Sequence, residues 1–240
     1  MVWYGCIKIK GDMMNFDERT IRIINILIDS FVPLLKAGLE FTVPLAIISF
    51  ALGLILALLT ALARISKIKP LVLLAKFYVG IIRGTPLLVQ LFIIFFGLPA
   101  AGIILSPLTA AIIGFTLSVG AYNSEVIRAA ILSIPKGQWE AASSIGMTYN
   151  QALRRVILPQ AARVSIPPLS NSFISLVKDT SLAATITVAE MFQIAQRITA
   201  ATYEPLWLYT ELAFIYFVFC SLLTLLQSKI EKKLSKYVTK

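Results

Sequence analysis

The chain of 240 residues contains no histidine, which removes the side chain most often used in metal sites and in proton transfer near neutral pH. Its only two cysteines, Cys6 and Cys220, have neither the spacing of a metal site nor that of a disulfide framework. The sequence also lacks the Gly-x4-Gly-Lys-[Ser/Thr] loop that cradles nucleotide phosphates, so we expect this chain not to bind ATP itself. These absences predict a protein with no catalytic residue, no metal and no cofactor of its own.

Charged residues are scarce as well, at 14% of the chain against 58% apolar residues. The mean hydropathy is +0.84, and the apolar residues are gathered in long blocks. This combination is typical of a membrane protein and excludes an ordinary soluble domain.

Five segments have the roughly 20 mostly apolar residues that a membrane-spanning helix needs. They lie at about 41–63, 71–98, 107–132, 167–189 and 206–227. The lysines and arginines are concentrated after the first span, after the third span and in the C-terminal tail. Because cytoplasmic connections carry the excess of Lys and Arg, this distribution predicts an outer N-terminus and a cytoplasmic C-terminus. The same distribution accounts for the net charge of +10, so we expect no nucleic-acid partner.

The segment before the first span is too short and too polar to cross a membrane. Residues 21–31 predict an amphipathic helix on the outer surface, which we expect Pro33 to interrupt. Residues 1–13 have no periodic pattern, and we expect translation to start at Met14. The predicted organisation is an N-terminal extension with this surface helix at 1–37, a five-span domain at 38–233 and a basic tail at 234–240.

The long connection between the third and fourth spans, about 133–166, predicts a helical hairpin. Pro135 favours a helix start, and Gly146 can adopt the left-handed conformation that ends a helix. Thr148 and Gln151 have the spacing of a capping box for a second helix, which we expect Pro159 to limit.

The order of residues in this hairpin is similar to a known motif. Glu140, Ala141 and Ala142 are followed four positions later by Gly146, and then by Val156-Ile157-Leu158-Pro159. This spacing resembles the EAA loop of ABC-importer permeases, with Val156 where the pattern usually has isoleucine. The resemblance extends over about 38–233 and is closest to the polar-amino-acid branch of these permeases. The further motifs that carry it are Arg83-Gly84-Thr85-Pro86-Leu87-Leu88-Val89-Gln90, Ala121-Tyr122-Asn123-Ser124-Glu125, Gly137-Gln138-Trp139-Glu140, Pro159-Gln160-Ala161 and Lys178-Asp179-Thr180-Ser181-Leu182.

The resemblance implies an all-α, polytopic membrane protein with the type I ABC-importer permease fold and no catalytic activity of its own. It implies two ATPase subunits that bind ATP and magnesium, a second permease subunit, identical or paralogous, and an external amino-acid-binding protein. It also implies a multi-pass location in the bacterial cytoplasmic membrane. The residues that it assigns to coupling with the ATPase are Gly137, Glu140, Ala141, Ala142, Gly146 and Met147.

Four charged residues lie roughly midway along the predicted spans: Arg83, Glu125, Lys178 and Asp179. A charge at bilayer depth costs about 3 kcal/mol or more, so such residues usually face the interior of the bundle. They can bind the two charged groups of an amino acid, or they can pair with one another and hold helices together. Glu125 is the strongest candidate for the ammonium or a cationic side chain of a polar, possibly basic, amino acid, because Tyr122 lies three residues earlier on the same helix face.

The segment Gly84-Thr85-Pro86 predicts a break in the second span, and such breaks often line a cavity. A simple kink, or close helix packing through Gly80 and Gly84, explains it equally well. Thr180 and Ser181 can donate to a substrate carboxylate or to their own backbone. The full set of candidate substrate-binding residues is Arg83, Thr85, Gln90, Tyr122, Asn123, Glu125, Lys178, Asp179, Thr180 and Ser181.

Two other functions fit part of the sequence. An intramembrane enzyme with Glu125 and Asp179 as paired carboxylates predicts turnover by the isolated chain. A secondary transporter predicts uptake driven by an ion gradient alone and has no need of the EAA loop.

Overall fold

The computed structural model describes residues 8–9, 12–13 and 17–235 of the chain. Met14, where we expect translation to start, lies outside these residues, as do most of the stretch before it and the last five residues of the predicted tail. The described chain is all-α except for a two-residue hairpin of β1 (Lys8–Ile9) and β2 (Asp12–Met13).

Ten α-helices and five shorter helical segments of other types make up the described chain. The α-helices are α1 (Glu18–Ala37), α2 (Val43–Ile65), α3 (Lys69–Gly84), α4 (Leu87–Phe92), α5 (Pro107–Leu132), α6 (Lys136–Ser144), α7 (Tyr149–Ala152), α8 (Leu158–Asp179), α9 (Met191–Thr202) and α10 (Pro205–Ser235). The π-helical turns are Gly38–Thr42, Ile93–Gly97 and Leu153–Ile157, and the 3-10 turns are Leu98–Ala101 and Thr180–Ile186.

Three helical stretches of the described chain are long and apolar enough to cross a membrane: Glu18–Ile65, Pro107–Leu132 and Pro205–Lys232. The bent pair Lys69–Gly84 and Leu87–Ala101 gives a fourth if it counts as one span. The predicted span at 167–189 is not among these stretches of the described chain: α8 covers its first part and ends at Asp179, and a 3-10 turn follows. The count of five spans therefore stays a prediction.

The N-terminal helix differs from the prediction, because Pro33 does not interrupt it. The helical stretch runs from Glu18 through Pro33 to Ile65, and α1 buries Ser30, Leu34 and Ala37 along one face. This face packs on α9 and α10, where Leu34 and Ala37 contact a cluster around Met191. A proline removes one backbone hydrogen bond, and neighbouring helices can offset that loss.

The three π-helical turns share a position relative to proline. Each ends two residues before a proline, namely Pro44, Pro99 and Pro159. A π turn shifts the hydrogen-bond register and so accommodates the missing N–H of a proline without ending the helix. This register shift explains why the helical path continues through Pro159 into α8.

The packing of α2 against α5 forms the centre of the bundle. The side of α2 that faces α5 is rich in small residues, among them Ala46, Ser49, Gly53 and Ala57. Backbones approach closely there, since a Cβ added to Gly53 would lie 2.4 Å from Cγ1 of Val119. Small residues are the usual means of close helix packing in membranes, where lipid supplies no hydrophobic drive between helices.

Candidate functional site

The break after α3 is present where the sequence predicts it. The helix ends at Gly84, and α4 begins at Leu87 after a bend of 105°. A Cβ added to Gly80 or Gly84 would meet nothing within 4 Å, so these glycines do not mediate close packing among the described residues.

Gln90 and Thr85 stabilise this break. The amide nitrogen of Gln90 donates to the carbonyl oxygens of Ile82 and Thr85, at 2.8 and 3.0 Å, and to the Thr85 hydroxyl at 2.9 Å. The Thr85 hydroxyl donates to the carbonyl oxygen of Ile81 at 2.9 Å. Both side chains therefore satisfy backbone groups that the bend leaves without helical partners. Neither side chain lines the cavity at the N-terminus of α4.

A polar cavity of about 350 Å³ lies at the N-terminus of α4, between α5, α8 and the 3-10 turn that follows α8. Two of the ten candidate substrate residues line it: Tyr122 from α5 and Asp179 from the end of α8. Its volume is within the range of small-molecule sites. The lining residues are Leu87, Ser118, Val119, Tyr122, Ser172, Ser175, Leu176, Asp179 and Leu182.

Three hydroxyls of this cavity are absent from the sequence-based candidates. Ser118 lies one helical turn before Tyr122, and Ser172 and Ser175 lie seven and four residues before Asp179. Residues with these spacings share a helix face, so the three serines could have been predicted from the positions of Tyr122 and Asp179 in the sequence. The cavity thus offers one carboxylate, one phenol and three hydroxyls.

Lys178 and Asp179 face different spaces. Lys178 and Ser181 line a separate, mainly apolar groove of about 500 Å³ formed with α9 and α10. Neither Lys178 nor Asp179 has an ion-pair partner within 4.0 Å among residues 17–232. The four charges predicted at bilayer depth therefore do not converge on one point.

Glu125 lies in a cluster of three arginines from three helices. Arg64 at the end of α2 donates a hydrogen bond to one carboxylate oxygen, and Arg128 donates to the other at 3.0 Å. Arg83 from α3 lies 3.6 Å from Glu125 and 5.3 Å from the ring centroid of Tyr122. Glu125 is thus placed in the pairing role that the sequence left open, and it does not line the cavity.

The remaining candidates point away from the cavity. Thr180 is fully buried and donates to the carbonyl oxygen of Val177 at 2.7 Å, while Ser181 donates to that of Lys178 at 2.7 Å. Asn123 is 1% exposed and lies in the core of α5. Of the two hydrogen-bond roles predicted for the Thr180 and Ser181 hydroxyls, donation to the backbone is therefore the one observed.

The loop between α5 and α8 contains the predicted turn and cap. The first helix, α6, ends before Gly146, whose φ of 79° is left-handed. The capping box is present, since Thr148 accepts from the Gln151 backbone and Gln151 accepts from the Thr148 backbone. The predicted end at Pro159 is wrong, because the π turn at Leu153–Ile157 carries the second helix into α8.

Most of the predicted coupling residues are exposed on this loop: Gly137, Glu140, Ala141 and Gly146. Met147 is half-buried, whereas Ala142 is 3% exposed and packs inward. Ile145 and Tyr149, which the sequence interpretation did not select, are 73% and 57% exposed beside the turn. Both residues therefore add exposed apolar surface close in sequence to the predicted coupling residues.

The loop rests on the ends of α2 and α5. Its core contains Ile157 and Ala161 from the loop side with Ala130 and Ile131 of α5, and Leu62 of α2 packs against them. Trp139 also packs there and stacks on Tyr149, with ring centroids 5.1 Å apart. The loop is therefore joined to the helices that carry Arg64 and Glu125.

Comparison with known proteins gives a family match over most of the chain. The profile described as "Binding-protein-dependent transport system inner membrane component" matches residues 49–236. The chain belongs to this family. It is an amino-acid ABC importer permease, a membrane subunit without catalytic activity, and its family implies separate ATPase and permease partners.

Two relatives and one solved structure support this assignment. The chain is 59% identical over 212 residues to the L-cystine transport system permease protein TcyB of Bacillus subtilis, covering 88% of this chain and 91% of that protein. It is 44% identical over 211 residues to the probable amino-acid ABC transporter permease protein YckA of the same organism, covering 88% and 93%. A crystal structure of an amino acid ABC transporter with histidines has a TM-score of 0.81 at 36% identity, covering 92% of this chain and all of that one.

Proposed function

We propose that the chain forms part of the pathway by which L-cystine or a closely similar polar amino acid enters a bacterial cell across the cytoplasmic membrane. An external binding protein delivers the amino acid, and two ATPase subunits drive its passage through a pair of permease subunits, identical or paralogous. The observation that carries the proposal is the polar cavity of Tyr122 and Asp179 within a chain 59% identical to a cystine permease.

Asp179 is the group we assign to the substrate ammonium. It is an exposed carboxylate on the cavity wall without an ion-pair partner among residues 17–232, and an ammonium both neutralises and hydrogen-bonds such a group. Ser118, Ser172 and Ser175 supply hydroxyls for the polar groups of the substrate. Glu125 has no such role in this proposal, since its oxygens already accept from two arginines.

The loop between α5 and α8 is the surface we assign to the ATPase. Its exposed positions Gly137, Glu140, Ala141 and Gly146, with Ile145 at the turn, form a short helical docking edge. Ala142 supports this edge from inside, because its side chain is buried. Affinity purification of the tagged chain, followed by identification of the co-purified proteins, tests the predicted ATPase and permease partners.

The decisive experiment is cystine uptake by proteoliposomes that contain the importer and its binding protein. Asp179→Asn keeps size and removes the charge, and loss of a desolvated charge pair should lower the rate at least about tenfold at limiting substrate. Asp29→Asn, which changes an exposed aspartate of α1, is the matched control. ATP hydrolysis stimulated by the binding protein should persist in both variants. Equal cystine uptake by the two variants would refute the role of Asp179, and faster uptake of L-arginine than of cystine would refute the substrate.

A further inference from the structure

The Glu125 cluster carries a surplus of positive charge. Three guanidinium groups share one carboxylate among residues 17–232, so the cluster has a net charge of about +2. Like charges this close repel one another when they are only partly exposed to solvent, so the cluster favours an additional anion.

Arg83 is held least tightly of the three. Arg64 and Arg128 make hydrogen bonds to the two Glu125 oxygens, whereas Arg83 approaches only to 3.6 Å. The exposed fraction of the side chain rises in the same order, from 14% for Arg64 through 33% for Arg128 to 43% for Arg83. Arg83 can therefore leave while Glu125 keeps two charged donors.

Arg83 is also the member of the cluster that lies beside a cavity-lining residue, although Arg83 itself does not line the cavity. Its guanidinium carbon lies 5.3 Å from the ring centroid of Tyr122, and Tyr122 lines the cavity. A guanidinium within about 6 Å of a ring centroid is attracted to the face of the ring, so Tyr122 can hold Arg83 beside the cavity when Arg83 leaves Glu125.

We propose that Arg83 exchanges Glu125 for the α-carboxylate of the substrate at the Tyr122 wall, and so selects amino acids over amines that lack a carboxylate. The inference rests on the proposed function, since it requires that the cavity of Tyr122 and Asp179 hold the transported amino acid. The exchange replaces one carboxylate by another, so the charge around Arg83 is conserved. Asp179 then binds the ammonium and Arg83 the carboxylate, which fixes the orientation of the substrate.

The test measures equilibrium binding to the purified permease–ATPase complex in lipid nanodiscs without the binding protein. The two probes are L-cystine and cystamine, which has the same disulfide-linked chain and amines but no carboxylates. Arg83→Gln removes the charge, Arg83→Lys keeps it, and Arg197→Gln, at an exposed position of α9, is the matched control. Asp179→Asn tests the proposed function separately.

Arg83→Gln should raise the Kd for cystine at least about tenfold and leave the Kd for cystamine within about twofold of wild type. Arg83→Lys should restore cystine binding in part, since a lysine supplies the charge but not the paired donors of a guanidinium. Equal losses for both probes, or no loss for cystine, would overturn the inference. If cystamine does not bind wild type, failure of Arg83→Lys to improve on Arg83→Gln would overturn it instead. Unchanged binding of both probes by Asp179→Asn would refute the cavity as the substrate site, whatever Arg83 does.

Discussion

Replacing Glu125 by glutamine should destabilise the permease and leave the choice among amino acids unchanged. Glutamine keeps the size of the side chain but removes the carboxylate that, among residues 17–232, the three arginines share. Arg64 and Arg83 lie in the last turns of α2 and α3, and Arg128 lies near the end of α5, so the three would then repel one another.

The magnitude follows from the geometry of the cluster. Two unit charges about 4 Å apart near a protein surface interact by about 4 kcal/mol, and removing one partner of a buried pair costs about 3–5 kcal/mol. The Glu125 side chain is 23% exposed, so the lower end applies and we expect about 3 kcal/mol. On the scale of soluble domains of 150–250 residues, this corresponds to roughly 6–12 °C in unfolding temperature.

The assay is thermal unfolding of the purified permease–ATPase complex in detergent, followed by intrinsic fluorescence. Glu40→Gln is the matched control, because Glu40 pairs with Lys36 at 3.8 Å on an exposed surface, and such pairs contribute about 0–1 kcal/mol. Adding Arg64→Gln to Glu125→Gln should recover part of the loss, since one repelling charge is removed. An unfolding temperature equal to that of Glu40→Gln, together with selective loss of cationic substrates, would refute the reasoning and assign Glu125 to the substrate.

Three further predictions concern the loop, the helix packing and a buried carboxyl. Gly146→Pro should abolish uptake while the permease still inserts, because proline cannot adopt a φ of 79°. Normal uptake by this variant would contradict the role of the loop in coupling to the ATPase. Gly53→Ala should lower the free energy of unfolding by about 1–3 kcal/mol, because the added methyl group would collide with Val119. Gly80→Ala adds a methyl group in open space and should leave the free energy of unfolding unchanged, so equal effects of the two variants would contradict the packing argument. Glu190 lies outside the candidate spans, and burial raises the pKa of its carboxyl from 4.5 to about 7. Because the folded-state pKa is the higher one, stability should fall as pH rises from about 5 to 8, and Glu190→Gln, titrated in parallel, should lack this part of the fall.

Features set by a few neighbouring residues could be predicted from the sequence. The third span coincides with α5 (Pro107–Leu132), and the glycine turn and the capping box of the loop are both present. The break at Gly84-Thr85-Pro86 is present too. Each depends on local backbone preferences or on the length of an apolar run, which a sequence states directly.

Features that depend on how helices pack could not be predicted in the same way. Pro33 and Pro159 predicted helix ends, but the surrounding bundle and the π turns keep the helical path continuous there. Lys178 and Asp179 are neighbours in sequence, yet one faces a groove beside α10 and the other the polar cavity. Which way each side chain points is decided by the rotation of α8 against its neighbours, and a single sequence does not contain that angle.

Arg64 shows how one residue can satisfy a sequence rule and still have a different role in the fold. An arginine near the end of a span indicates which end of that span faces the cytoplasm, and Arg64 fits this rule because it lies in the last turn of α2. In the structure its side chain turns inward and reaches Glu125, 61 residues later in the chain. Because α5 carries Tyr122 at the cavity, Glu125 in the cluster and Ile131 in the core of the loop, one rigid helix joins the three. Tyr122 and Ile131 are about 14 Å apart along that helix, so if an ATPase displaces the loop as proposed, the displacement would be transmitted along α5 to the wall of the cavity.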